Sequence, residues 1–133
     1  MHRAITLLLG SVVLAAAPAQ AAPDPEAKLA KALEGRVAGE PVDCIDLDRV
    51  RGTTIINDTA IVYDAGRTLY VNRPRSGAGS LDQSDILVTK THNNRLCSID
   101  TVELRDRSTR TFSGVVFLDE FVPYERVESA FAD

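Results

Sequence analysis

The sequence is poor in the residues from which most catalytic and metal sites are built. It contains two cysteines and two histidines, and His92 is the only histidine beyond residues 1–21. Metal sites need several converging donors, and no histidine–cysteine cluster accompanies His92. A Gly-x-Ser-x-Gly elbow is also missing, and a single histidine beside Asn93-Asn94 offers no serine triad. We predict no catalytic residue, no metal site and no cofactor, and we interpret His92 as an exposed turn residue rather than a general base.

The sequence also has no apolar run long enough for a comfortable membrane span. Residues 5–17 carry no charge, whereas a spanning helix needs about 20 apolar residues. Arg3 precedes this run, and Ala19-Gln20-Ala21 follows it with small residues at both positions that a signal peptidase reads. An uncleaved anchor is the alternative. We interpret residues 1–21 as a cleaved signal peptide, which predicts a periplasmic protein without stable membrane insertion.

Basic residues are outnumbered by acidic ones, 15 to 19, which gives a net charge of −4. Nucleic-acid binding requires clustered positive charge on the protein surface. The mild acidity therefore predicts no nucleic-acid partner and favours solubility.

The two cysteines, Cys44 and Cys97, both lie beyond the signal peptide. An exported protein meets an oxidising compartment, and two cysteines allow one intramolecular pairing. Their wide spacing is unlike the Cys-x-x-Cys spacing of thiol-exchange enzymes. We predict a structural Cys44–Cys97 disulfide.

Residues 22–41 are predicted to form a short N-terminal helix and a hinge. Asp24 can cap the helix, Pro25 suits its first turn, and Gly35 is typical of a helix C-terminus. Residues 27–34 are good helix formers, but so short a helix is unstable alone in water. It must pack its Leu29/Leu33 face on the rest of the protein.

Residues 42–133 are predicted to form one β domain. Turn-forming pairs such as Asn57-Asp58 and Asn93-Asn94 separate short segments rich in β-branched residues. The predicted strands cover residues 53–56, 59–63, 68–72, 85–91, 95–105, 114–118 and 121–124, preceded by an alternating segment at residues 44–48. About seven or eight short strands after one short helix predict a mainly β fold, a small antiparallel barrel or rolled sheet.

Several segments together resemble one family of proteins. These segments are residues 44–51, 57–59, 96–100 and 118–124, and the two that contain the cysteines are the most specific. They resemble an uncharacterised family, a domain of unknown function, of small exported proteins from Gram-negative bacteria. The resemblance implies export, a compact domain and a structural cysteine pair, and it implies no reaction.

Asp43, Asp46 and Asp48 form an acidic cluster within six positions. Calcium binding needs several converging oxygen ligands, often on a glycine-containing loop, and this spacing differs from such loops. In a strand, Asp46 and Asp48 would share one solvent-exposed face. We interpret the three as surface residues that pair weakly with Arg49 and Arg51.

Arg67, Arg73 and Arg75 fall within nine positions of a chain with net negative charge. Guanidinium groups around one hairpin could bind phosphate or carboxylate, so these arginines are a candidate anion-binding patch. The alternative is a strand edge protected by charge against the addition of another strand.

Two classes of function remain open from the sequence. The first is a non-enzymatic periplasmic binding or interaction module, whose partner would be an envelope component or another periplasmic protein. The second is a small periplasmic hydrolase or a hydrolase subunit. A hydrolase requires titratable groups with perturbed pKa values that converge in a pocket.

Overall fold

The computed structural model describes residues 9–17 and 23–127. Residues 9–17 are exposed and belong to no helix or strand. In the described ranges no helix is both long enough and apolar enough to cross a bilayer. The proposed cleavage after Ala21 lies outside the described residues.

One short helix, α1, spans Pro25–Ala32. The Asp24 side chain caps it by accepting a hydrogen bond from the Glu26 backbone, as the sequence predicted. The helix ends before residue 34, and Gly35 follows with φ +73°. Leu29 is buried and Leu33 packs beside it, which confirms the predicted apolar face.

Among the described residues, ten strands follow the helix. They are β1 Arg36–Ala38, β2 Cys44–Asp46, β3 Gly52–Ile56, β4 Ala60–Ala65, β5 Thr68–Asn72, β6 Asp85–Thr89, β7 Arg95–Cys97, β8 Thr101–Asp106, β9 Phe112–Phe117 and β10 Phe121–Arg126. Two single 3₁₀ turns lie at Leu47–Arg49 and Ala78–Ser80.

The strands form three antiparallel sheets. The largest has the order β1-β10-β5-β4-β3, a second has the order β6-β8-β9, and β2 pairs with β7 in a two-stranded ribbon. The predicted mainly β, antiparallel fold with one short helix is confirmed. The strand count is ten rather than seven or eight, and no sheet of the described residues closes into a barrel.

Three local expectations were wrong. Residues 36–38, expected in the hinge, form β1 and pair with the end of β10. The alternating segment at residues 44–48 stops at Asp46, because the Asp46 carboxylate accepts the Asp48 backbone hydrogen and starts a 3₁₀ turn. The hairpin expected at Asn93-Asn94 is absent.

The strand predicted over residues 95–105 is two separate strands in the structure, β7 and β8. β6 pairs with β8, whereas the intervening β7 pairs with β2. Leu96 of β7 is fully buried, and Cys97 is bonded to Cys44. Long-range burial and the disulfide therefore outweigh the local turn signal.

The five-stranded sheet is buried on both faces. In β4, Ile61 and Tyr63 face a core shared with the two smaller sheets, while Ala60 and Val62 face a second core under α1. The alternation follows from the two-residue side-chain period of a strand. The sheet is therefore the central layer of the protein. Polar side chains can cluster at the two ends of its strands, outside these cores.

Candidate functional site

The predicted disulfide is present. Cys44 and Cys97 lie directly opposite each other in the β2–β7 ribbon and are bonded with an S–S distance of 2.05 Å. Asp43 and these two cysteines are the one group of potential metal ligands found close together in the described part of the chain. Because both sulfurs are held in the disulfide, this group cannot supply thiolate ligands.

The three aspartates of the acidic cluster have separate partners. Asp43 is bound by the hydroxyl of Ser98, and its backbone carbonyl accepts the Ser98 N–H at 2.8 Å. Asp46 caps the 3₁₀ turn and lies 3.8 Å from the Arg49 guanidinium. Asp48 accepts a hydrogen bond of 3.4 Å from the Asn94 side chain. His92 lies exposed between β6 and β7.

The structure does not gather the three predicted arginines. Arg67 precedes β5 and Arg73 follows it, so their backbones are roughly 20 Å apart at about 3.3 Å per residue. Arg73 makes two hydrogen bonds to the Glu26 carboxylate on α1, at 2.7 and 3.0 Å. This bonding lowers the pKa of Glu26. Arg75 lies exposed, and its backbone is bonded to Phe117.

Arg67 instead has other arginines as neighbours. The five-stranded sheet brings together, at one of its ends, an arginine from β1, one from β10 and those that precede β3 and β5. We call this group of Arg36, Arg51, Arg67 and Arg126 the arginine end. The strand register fixes the grouping, because Arg36 is opposite Arg126, Glu125 is opposite Thr68, and Ala65 is opposite Thr68 on the other side.

The tight turn between β4 and β5 organises this end. Gly66 and Arg67 connect the paired residues Ala65 and Thr68. Gly66 has φ +83°, and its N–H donates to the Asp64 carboxylate at 2.8 Å. A two-residue hairpin loop with glycine in its first position has the twist that antiparallel strands require.

Two other guanidinium groups reach this turn. The Arg51 guanidinium lies directly over Gly66, so close that a Cβ on residue 66 would be 2.7 Å from its Nη2 atom. Arg36 donates from Nη1 to the backbone carbonyls of Arg67, at 2.8 Å, and Tyr124, at 3.3 Å. Two guanidinium groups therefore lie at this turn, and the missing side chain of Gly66 leaves room for that of Arg51.

An open groove of about 740 Å³ lies at the arginine end. It is lined by Arg51, Gly66, Arg67, Thr68, Glu125, Arg126 and Val127. The ion pairs found among the described residues involve Arg49, Arg73 and Arg105, and none involves an arginine of this group. Glu125 is the one acidic residue in the lining.

Sequence reasoning identified Arg67 but missed Arg36, Arg51 and Arg126. These residues are far apart in the chain, and Arg51 was interpreted as a partner of the nearby aspartates. The available signal was their position: each lies at, or one residue outside, the end of a strand. That signal becomes useful only when the order and direction of the strands are known.

Comparison with protein-family models, with curated proteins and with solved structures finds no match to this chain. The resemblance to an exported family of Gram-negative bacteria therefore stays a prediction.

Proposed function

We propose that this protein is an exported, disulfide-stapled, non-enzymatic module that binds an anionic component of the periplasm or envelope through the arginine end. The observation that carries the proposal is the grouping of Arg51, Arg67 and Arg126 around one groove without a carboxylate partner among the described residues. Guanidinium groups are preferred for binding phosphate and carboxylate.

The charge balance of the molecule supports this surface as the binding site. The chain is net negative, so four arginines at one end create a local positive field against an otherwise acidic background. Such a field attracts anions and orients them during encounter. It also makes binding sensitive to salt, since exposed charges are screened over about 8–10 Å at moderate ionic strength.

The hydrolase alternative has less support. Titratable groups with clearly shifted pKa values lie outside the groove. The pKa values of Asp82 and Asp106 are lowered by hydrogen bonds from residues of their own turns. Tyr63 has a raised pKa because it is buried in the core. These pKa shifts come from burial and from hydrogen bonds within turns, so they give no support to a catalytic site.

The proposal includes export and the rolled arrangement of the strands. One core cluster contains residues of all three sheets, which supports a single sheet system wrapped around a common interior. Export predicts that the mature chain begins at Ala22 or within a residue or two of it. Intact-mass measurement of protein isolated from the periplasm tests this, and full-length chain in the cytoplasm would contradict it.

The binding proposal is tested with one triple variant and one double variant. In the first, Arg51, Arg67 and Arg126 are each replaced by serine. In the matched control, Arg73→Ser and Arg75→Ser remove the arginines that the sequence alone singled out. Both are tested for co-sedimentation with cell-wall and lipopolysaccharide preparations.

We expect the first variant to lose binding and the control to keep it. Wild-type binding should weaken as salt is raised. Equal binding by the first variant and the wild type would overturn the proposal, and so would loss of binding in the control alone.

A further inference from the structure

The number and directions of the guanidinium groups restrict the kind of anion that fits the arginine end. A carboxylate is planar and offers two oxygens, which one guanidinium fork can satisfy. A phosphate monoester carries a charge of about −1.5 to −2 at neutral pH and offers three acceptor oxygens. Arg51, Arg67 and Arg126 line the groove from the ends of three different strands, just before β3, just before β5 and at the end of β10. Donors from several directions match the tetrahedral group better than the planar one.

Gly66 determines how closely these donors can gather. Because it has no side chain, the Arg51 guanidinium lies against the turn, next to Arg67. Arg36 is tied to the carbonyl of Arg67 and braces the same turn from β1. The Arg51 and Arg36 guanidinium groups therefore both lie at the Gly66–Arg67 turn, although β3 and β1 are separated in the sheet.

The groove is larger than a phosphate group requires. Small-molecule sites usually have volumes of about 300–1,000 Å³, and this groove has about 740 Å³. Thr68 and Glu125 also line it, and their side chains can exchange hydrogen bonds with hydroxyl groups. Val127 adds an apolar wall. This mixture suits a hydroxyl-bearing body attached to the phosphate.

From these observations, and resting on the proposed function, we infer that the arginine end binds a phosphorylated sugar. The phosphate monoester lies among Arg51, Arg67 and Arg126 beside the Gly66–Arg67 turn, and the sugar contacts Thr68 and Glu125. The source is either a soluble sugar phosphate or the phosphorylated sugar headgroup of an envelope lipid, because both present the same chemistry.

The ligand class is tested by calorimetry on the oxidised mature protein with glucose 6-phosphate, glucuronate and inorganic phosphate. We expect glucose 6-phosphate to bind at least about tenfold more tightly than glucuronate, because more charge-assisted hydrogen bonds form to the phosphate. Inorganic phosphate should bind more weakly than the sugar ester. Equal affinity for glucuronate, or no affinity for glucose 6-phosphate, would overturn the inference.

The site is tested by Gly66→Ala, which displaces the Arg51 guanidinium, and by Arg51→Ser. Each should weaken glucose 6-phosphate binding by about tenfold or more. The control is Gly35→Ala, because Gly35 also has a positive φ of +73° but its Cβ would meet no atom within 4 Å. Gly35→Ala should bind normally. An unchanged affinity in Arg51→Ser would overturn the assignment even if Gly66→Ala failed to fold.

Competition separates the two sources. Displacement of the protein from lipopolysaccharide-containing vesicles by glucose 6-phosphate supports the lipid headgroup, and binding of the soluble ester without vesicle binding supports the free sugar phosphate. If envelope binding depends on the arginine end but no sugar phosphate binds, the ligand class is wrong and the proposed function stands. If envelope binding survives loss of the arginines, the proposed function itself falls.

Discussion

The two ends of the five-stranded sheet use similar polar residues in opposite ways. At the end where β5 finishes, Asn72 is fully buried, and its side chain bonds both the N–H and the C=O of Asp119 at 3.1 and 2.6 Å. Next to it, Arg73 clamps Glu26 of α1. At the other end, Arg67 begins the same strand among other arginines.

This difference shows that partners rather than residue type decide the role of an arginine. Arg73 has a carboxylate within reach because α1 packs across the sheet. Arg67 and Arg51 have a glycine turn and further guanidinium groups beside them instead. One end is saturated with internal bonds, while at the other end Arg51, Arg67 and Arg126 form no ion pair with a described residue.

The largest expected effect on stability comes from the β2–β7 ribbon, which follows the bridge between Val42 and Phe121 at the end of the sheet where β5 finishes. Replacing both Cys44 and Cys97 by alanine should lower the free energy of unfolding by about 4 kcal/mol in the chain-entropy model, because the disulfide closes a loop across 53 positions. Urea unfolding measures the loss. Thiol titration of the unfolded, unreduced wild-type protein should find no free thiol. Two free thiols per chain would show that the cysteines are unpaired.

Asn72→Ala should have the next largest effect. It leaves the Asp119 backbone groups without their partner, which costs roughly 2–3 kcal/mol of unfolding free energy. Asn93→Ala, in an exposed turn, is the matched control and should change stability by less than about 0.5 kcal/mol. If the two variants were equally stable, the saturated end would not depend on this amide.

A smaller effect is expected from the Arg73–Glu26 pair, and it depends on pH. In the folded state, the hydrogen bonds from Arg73 lower the pKa of Glu26 below its ordinary value. The resulting stabilisation is therefore present above the unfolded pKa and is lost as the pH falls through the folded one. Glu26→Gln should lower the urea midpoint slightly at neutral pH and not at about pH 2. In an Arg73→Ser background, where Glu26 has lost these hydrogen bonds, Glu26→Gln should show no such pH-dependent difference.

The smallest effect on stability should come from the arginine end. Arg51→Ser and Arg67→Ser together should change the free energy of unfolding by less than about 0.5 kcal/mol, because both side chains are exposed and form no ion pair with a described residue. Arg73→Ser should lower the urea midpoint more than this pair does. The reverse order would contradict the distinction between an end held by internal bonds and an end whose arginines contribute little to stability.

Some features were readable from the sequence because their causes are local. Asp24 caps α1 through its immediate neighbours, and β5 has the predicted bounds, residues 68–72, because its alternation is flanked by a turn on one side. Pro123 shows the limit of such signals. A proline in a strand favours an edge position, yet β10, which contains it, lies between β1 and β5. Its missing N–H is tolerated beside Gly39, where β1 has already ended.

The sequence by itself determined the mainly β composition, the short amphipathic helix and the single cysteine pairing that two cysteines permit. Each of these follows from side-chain periodicity, capping chemistry or counting. Only the tertiary structure decided that β7 pairs with β2 and that Arg73 binds Glu26. It also decided which arginines share one end of a sheet, namely Arg36, Arg51, Arg67 and Arg126. The physical reason is that strand order and register join residues distant in the chain, and they are fixed by burial of two cores rather than by any local pattern.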